Sequence, residues 1–280
     1  MINLISIFHH MEQEWHLYYD LLLPTFLTLS KTDQNYKNHR IIFHSYCNLV
    51  PHIITAFTNH KIQCLDRPLC FEELEMGMIK VTNYTKNEIE PPYDFPDNLS
   101  SQFFEAIYDF YNISNNRSEN KHKNILIVNR LYNRKLLNIH KLVHTIKNYF
   151  PNDNVSLKYF EEYSIKSQIL ALKDTDIFIS IHGSALANLL WMKPGSYIIE
   201  IFPYKFTCRD WYEKAAKFMK LNYISYHPHG IDETDQSNPS EALQKCYKGK
   251  WKCSSSNCLD ILRDQNVDVN LDLFQKKLDE

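Results

Sequence analysis

The chain has 280 residues, 44% of them hydrophobic, with 33 acidic and 31 basic side chains and a formal net charge of -2. That length and apolar content suffice for one large core or two smaller ones, and the charge balance gives no electrostatic case for nucleic acid or an anionic membrane, both of which select basic surfaces. The most apolar early run, Leu21 to Leu29, is interrupted by Pro24 and falls far short of the ~20 residues that a bilayer span needs, so no membrane span is expected.

Met1 is followed at once by the strand-like INLISIF, without the basic leader or cleavage pattern of a signal peptide. A helix is expected from about Glu12 to Leu29 and another from Pro51 to Asn59, set between the strand-like runs RIIFHSY (Arg40 to Tyr46) and KIQCL (Lys61 to Leu65). EPPYDFP is punctuation, SQFFEAIYDFY reads as a helix, and the polar run from Asn112 to Asn124 reads as a hinge. A second series begins with ILIVN at Ile125. It continues with a helix from Asn138 to Tyr149, the strand NVSLKYF, a helix from Ser164 to Lys173 and the strand TDIFISI; after the signature stretch described next come the helix RDWYEKAAKFMK and the strand NYISYH. Such alternation implies parallel sheets covered by helices. The tail VDVNLDLFQKKLDE reads as a short strand and a terminal helix.

The most informative stretch is IHGSALANLLWMKPGSYIIEIFP, from Ile181 to Pro203. It reads as strand end, tight turn, short helix and second strand. Gly183 lets a ligand approach the backbone, and the amides of Ser184, Ala185 and Leu186 fall at a helix N-terminus, where phosphate binds. Upstream, Arg130 directly follows ILIVN and Arg134 lies one turn-like segment on. Two guanidinium forks there suit the paired oxygens of a diphosphate; the other reading has them solvated or paired with carboxylates. His182 is either satisfied by backbone hydrogen bonds or in contact with a nucleotide. Glu200 is either an acceptor for ribose hydroxyls or the buried partner of an arginine such as Arg209. Asn188 is expected to tie down the turn, and Trp191 to plug the space behind the helix.

Residues 181 to 203 resemble the pattern H-G-[AS]-x-L-x-N-L-[LF]-[FW]-M-x-P-G-S and E-[IL]-x-P of glycosyltransferase family 61. VNRLYNRKLLN (Val128 to Asn138), WHLYYDLLLP (Trp15 to Pro24) and CFEELEMGM (Cys70 to Met78) resemble other segments of that family, in the same order. Two departures stand out: Ala185 replaces a second glycine, and Ile139 stands where an acid is expected. The resemblance implies an α/β chain of two Rossmann-like lobes of the GT-B type, the first one short. On that reading residues 1–97 form an acceptor-side lobe, 98–124 a helix and polar linker, 125–262 the nucleotide-sugar-binding lobe, and 263–280 a terminal segment that crosses back to the first lobe. It also implies an inverting, metal-independent transferase with no cofactor beyond a UDP-sugar co-substrate, moving N-acetylglucosamine, xylose or arabinose to a hydroxyl on a protein or glycan.

The donor site would comprise Arg130, Arg134, His182, Gly183, Ser184, Ala185 and Glu200. Transfer needs an acceptor for the departing proton, and His16 and Asp20, four apart on the first helix, form a base with a carboxylate to fix its tautomer; alternatively His16 caps or packs. Location in the Golgi or endoplasmic reticulum lumen follows from the resemblance alone, as does an N-terminal anchor that a truncated start would lack. Asp174-Thr175-Asp176 has the form of a metal motif but leads into a core strand and is read as a turn. Of seven cysteines, Cys246, Cys253 and Cys258 can form a disulfide or remain buried thiols; irregular spacing argues against a zinc site with His227 and His229. Sequons at Asn83, Asn98, Asn112, Asn116 and Asn154 decide nothing in so Asn-rich a chain. Two other functions remain to be weighed. One is a non-catalytic family descendant that binds glycan or protein. The other is a dinucleotide-dependent oxidoreductase, against which no G-x-G-x-x-G follows any strand.

Overall fold

A computed structural model describes residues 2–5, 13–32, 35–44, 50–66, 68, 70–79, 97–116, 121–206, 209–234, 240–249 and 256–279. Two units result, residues 1–117 and 118–280. The expected mixed α/β class with parallel sheets is observed.

In the first unit, β1 (Ile2–Ile5), β2 (Arg40–Phe43), β3 (Gln63–Cys64) and β4 (Leu74–Met76) form a parallel sheet in the order β3-β2-β1-β4. β4 falls in the CFEELEMGM segment and was not anticipated as a strand. The first helix opens as a π-helical turn at His16–Leu22, where the Leu23 amide bonds to the Tyr18 carbonyl, and continues as α1 (Leu23–Thr32). Pro24 has no N–H and crowds the carbonyl four residues back, and the wider turn lies just ahead of it. The Pro51 to Asn59 segment is a 3-10 helix, His52–Phe57. α2 (Asp97–Tyr111) belongs to this unit rather than to a linker. Its Phe103 packs 5.4 Å from Phe26 of α1 and 5.8 Å from Phe57, ring centroid to ring centroid, and all three rings are buried. EPPYDFP and Asn83 lie outside the described residues.

The second unit holds β5 (Asn124–Asn129), β6 (Asn154–Tyr159), β7 (Ile177–Ile181), β8 (Tyr197–Ile201) and β9 (Asn222–Tyr226), all parallel, in the order β6-β5-β7-β8-β9. α3 (Ile139–Tyr149) joins β5 to β6, α4 (Ile165–Leu172) joins β6 to β7, and α5 (Trp211–Phe218) joins β8 to β9. The stretch between β7 and β8 is a 3-10 helix, Ser184–Trp191, rather than an α-helix; all its residues but Ser184 are buried. IFISI of β7 is buried throughout, as a parallel strand covered on both faces must be. Gly195, at φ 83°, makes the turn into β8, a conformation that a side chain would strain.

One face of this sheet builds a core of Ile125, Ile127, Ile179, Ile199 and Tyr226 with Leu142 and Ile146 of α3 and Phe274 of α8 (Leu271–Leu278). α8 packs on α3 and β9. The expected strand ahead of it is reduced to isolated bridges of Val267 to Leu136 and Thr234. α6 (Glu241–Lys248) and α7 (Ser256–Arg263), not foreseen as helices, are joined by a disulfide between Cys246 and Cys258. Cys253 lies outside the described residues. Removing a bridge that closes so short a loop, in Cys246→Ser/Cys258→Ser, should lower the stability of the second unit by about 2–3 kcal/mol. Urea unfolding followed by Trp and Tyr fluorescence checks this, and an unchanged midpoint would show that the helices hold without the bridge.

Candidate functional site

The strand order of the second unit places its topological switch point between β5 and β7, and ligands in open α/β sheets bind beyond the carboxyl ends of the strands at that crevice. Arg130 leaves β5 there, and His182-Gly183 leaves β7. Asn129, the last residue of β5, accepts from the Leu136 amide at 2.8 Å and donates to the Leu136 carbonyl at 3.1 Å, so its side chain closes the loop 130–135 into a unit. The segment after α7 holds the far side of that loop. Asn266 Oδ1 accepts from the Lys135 amide at 2.8 Å, and the Val267 amide donates to the Lys135 carbonyl at 2.8 Å. Arg134 itself has φ 55°, a left-handed conformation that this double anchoring maintains.

Both guanidinium groups are drawn inward. Arg134 Nη1 donates to the His182 carbonyl at 3.2 Å. Glu161 approaches Arg130 Nε at 3.8 Å and Asp264 approaches Arg134 Nε at 3.6 Å, beyond hydrogen-bonding reach. Arg130 Nε and Nη1 and Arg134 Nε are buried, with no hydrogen-bond partner among the described residues. Each such donor costs roughly 1–3 kcal/mol until something accepts from it. Burial, and after it the charge of Arg130, pushes the Arg134 pKa down to about 10. Two like charges with unused donors at a sheet's carboxyl end are chemically suited to accept an anion.

Gly183 is what admits them. A Cβ there would lie 2.5 Å from Arg130 Nη1 and 3.3 Å from Arg134 Nη1. Its φ of 162° is extended backbone, so the requirement for glycine is space and not conformation. In the next turn the Leu186 amide bonds to the Gly183 carbonyl at 2.9 Å, which leaves the amides of Ser184 and Ala185 as the first-turn donors. Ala185 is 9% exposed, and its carbonyl accepts from Asn188, which also donates to Gln168. Asn188 therefore secures the turn, as its position suggests.

His182 and Glu200 lie on one face of neighbouring strands. Ser180 pairs in register with Glu200, and the two-residue period puts position 182 on the same side. The His182 Nδ1 is 2.5 Å from Glu200 Oε1, and the Tyr223 hydroxyl donates to Oε2 at 2.5 Å. Glu200 is 0% exposed. Both sequence readings of Glu200 thus change. Its oxygens are occupied by His182 and Tyr223 rather than open to a ribose, and Arg209 lies over the Trp211 ring at 4.3 Å. Phe202, Phe206 and Tyr212 surround the imidazole at centroid distances of 5.4, 4.9 and 5.3 Å. Burial, and then the charge of Glu200, raises the Tyr223 pKa and keeps its hydroxyl a donor.

In the first unit, His16 Nδ1 lies 2.6 Å from Asp20 Oδ2, with the histidine side chain 25% exposed and the carboxylate 7%. The pair read from the sequence is formed, and π turns of this kind recur at functional positions. Asp174-Thr175-Asp176 is the turn expected. Asp176 accepts from the Asn124 amide at 2.8 Å and pairs with Lys193, at the amino end of the sheet. A groove of about 600 Å3 that includes Asn124, Asp153 and Asp174 also lies there, at the opposite end from the arginines. Among the described residues no group of three or more His, Cys, Asp or Glu side chains could hold a metal ion. The supporting residues Asn129, Glu161, Tyr223, Asp264 and Asn266 were not singled out from the sequence; only the strand-terminal position of Asn129 carried a signal.

The close approach at Gly183 yields a test. Gly183→Ala must displace the Arg130 guanidinium, and with one charge-assisted hydrogen bond lost the affinity for inorganic pyrophosphate should fall by roughly tenfold. The melting temperature should not move, because the backbone at 183 suits any residue. Calorimetric titration and a thermal scan together check both halves.

A family model described as Glycosyltransferase 61 matches residues 15–199. The curated relatives include protein O-linked-mannose beta-1,4-N-acetylglucosaminyltransferase 2 of Bos taurus and of Mus musculus, each 25% identical over 292 residues, covering 91% of this chain and 50% of the relative. The Homo sapiens protein of the same name is 24% identical over 292 residues with the same coverage. The chain spans about half the length of these relatives. The match takes in the first helix with His16 and Asp20, the arginine loop and the His182-Gly183 turn, and the chain belongs to the glycosyltransferase 61 family.

Proposed function

We propose that the chain is an inverting, metal-independent glycosyltransferase that moves a sugar from a UDP donor to a hydroxyl on a protein or glycan. The observation that carries this reading is the pair of half-buried arginines at the switch point of the second sheet, whose buried donors have no hydrogen-bond partner among the described residues. Family membership supports the reaction class. N-acetylglucosamine is the first donor and O-linked mannose the first acceptor to try, because the matched relatives bear those words in their names; xylose and arabinose are the other donors.

On this reading Arg130, Arg134 and the amides of Ser184 and Ala185 hold the diphosphate. As the bond between the anomeric carbon and the β-phosphate oxygen breaks, its electron pair moves to that oxygen. Fixed donors meet the growing charge without reorganising. The cationic role that a metal ion takes in other transferases falls to the two guanidiniums. The acceptor hydroxyl attacks the opposite face of the anomeric carbon and gives its proton to His16, whose tautomer Asp20 sets. A two-lobed GT-B layout, with the donor on the second unit and the base on the first, suits two parallel sheets. The disulfide between Cys246 and Cys258 supports an oxidising secretory compartment.

Calorimetry with UDP tests the donor site. Micromolar binding unaffected by EDTA is expected, and Arg130→Ala should weaken it by about 1.5–3 kcal/mol, the value of a lost charge-assisted hydrogen bond. Unchanged affinity would remove Arg130 from the site. His16→Ala should retain UDP binding and lower the rate of transfer from UDP-N-acetylglucosamine to an O-mannosyl peptide. If the wild type binds UDP but transfers nothing from any of the three donors, the chain is a binding module on the same fold.

A further inference from the structure

The buried carboxylate of Glu200 is not explained by diphosphate binding, since neither of its oxygens is open to a ligand. Its two partners are His182 Nδ1 at 2.5 Å and the Tyr223 hydroxyl at 2.5 Å. An ionised carboxylate is an acceptor only, so the proton shared with His182 is carried by Nδ1. A neutral imidazole has one N–H, and its other nitrogen then presents a lone pair. That nitrogen, Nε2, has no protein partner among the described residues.

Glu200 and Tyr223 face the imidazole from β8 and β9, and Tyr212 faces it edge-on from α5. Among the described residues, the charges of Asp210 and Glu213 act on Tyr223. Arg134 reaches the carbonyl of His182 itself, and Arg130 crowds the next residue, Gly183. Phe202 separates the ring from His227. A lone pair on Nε2 repels phosphate oxygens and matches a hydroxyl donor. Nucleotide sugars carry such hydroxyls on the ribose and on the transferred sugar.

We infer that Glu200 and Tyr223 are positioning residues that hold His182 as its Nδ1–H tautomer, so that Nε2 accepts a hydrogen bond from a hydroxyl of the bound nucleotide sugar. The inference rests on the proposed nucleotide-sugar function. It reassigns the acid at the end of β8: Glu200 acts on the ligand through the imidazole and not by direct contact. The aromatic wall of Phe202, Phe206 and Tyr212 packs around the ring, and Glu200 fixes which nitrogen carries the proton.

Two measurements on the full chain test this. In the wild type, the imidazole nitrogen resonances of His182, assigned by their loss in His182→Gln, should show Nδ1 protonated and Nε2 bare, with Nε2 shifting when UDP or UDP-N-acetylglucosamine is added. The affinities of UDP, 2′-deoxy-UDP, 3′-deoxy-UDP and UDP-N-acetylglucosamine are then compared in the wild type, Glu200→Gln and Tyr223→Phe. If the partner is a ribose hydroxyl, one deoxy analogue should bind about 10-fold more weakly than UDP to the wild type, and that discrimination should shrink in both variants. If it is a sugar hydroxyl, the deoxy analogues match UDP, and the advantage of UDP-N-acetylglucosamine over UDP shrinks instead. A purely structural role for Glu200 would change all four affinities alike. A protonated Nε2 in the wild type, or discrimination unaltered in Glu200→Gln and Tyr223→Phe while UDP still binds, overturns the inference. Failure of the wild type to bind UDP overturns the underlying nucleotide-sugar reading instead. If Glu200→Gln does not fold, the Tyr223→Phe series and the wild-type resonances decide.

Discussion

Two guanidinium groups held against each other under a residue with no side chain are the constraint around which the second unit is arranged. Like charges repel and buried donors without acceptors are costly, so an arrangement of this kind persists only where the surrounding chain over-determines it. Asn129 closes the arginine loop from within, and residues 264–267 brace it from outside with a carboxylate, a side-chain amide and a backbone pair. An anion that accepts from Arg130 and Arg134 relieves both the repulsion and the missing hydrogen bonds. On the proposed function, the fixed donors would meet such an anion already preorganised.

The bracing reaches well beyond the loop. Asp264, Gln265 and Asn266 follow directly on α7, which the Cys246–Cys258 bridge ties to α6. Gln265 accepts from the Tyr247 hydroxyl of α6 and donates to the Tyr204 carbonyl at 2.9 Å, in the segment that follows β8. Phe202 and Phe206 form a small core with Cys246, Tyr247 and Leu262, and the same two phenylalanines wall the His182 imidazole. The C-terminal helices and the signature turn are therefore one packed body. The residues that brace the two loops are distributed over nearly the whole second unit.

The strands were the most legible part of the sequence. ILIVN, TDIFISI and SYIIEIF are apolar runs of strand length bounded by turns, and each appears as a strand with every interior position buried. The switch-point positions of Arg130 and His182-Gly183 follow from those strand ends. The partners of Glu200 were not legible, because Tyr223 is 23 residues away and meets it only through the register of β8 with β9. For the same reason Asp264 and Asn266, about 130 residues from the loop that they brace, carried no local signal. The sequence of α2 shows a helix but not its place in the first unit, since its aromatic face says that it packs but not on what. The signature helix is tighter than expected: buried on nearly all sides, Ser184–Trp191 takes a 3-10 form.

On the proposed function, Arg130 and Arg134 read the second phosphate of a nucleoside diphosphate. A double-mutant cycle tests it most directly, with UDP and UMP as one pair and the wild type and Arg130→Ala/Arg134→Ala as the other. The wild type should prefer UDP over UMP by about 1.5–3 kcal/mol, and the preference should collapse in the variant. A preference of equal size in both proteins would contradict it and place the diphosphate elsewhere.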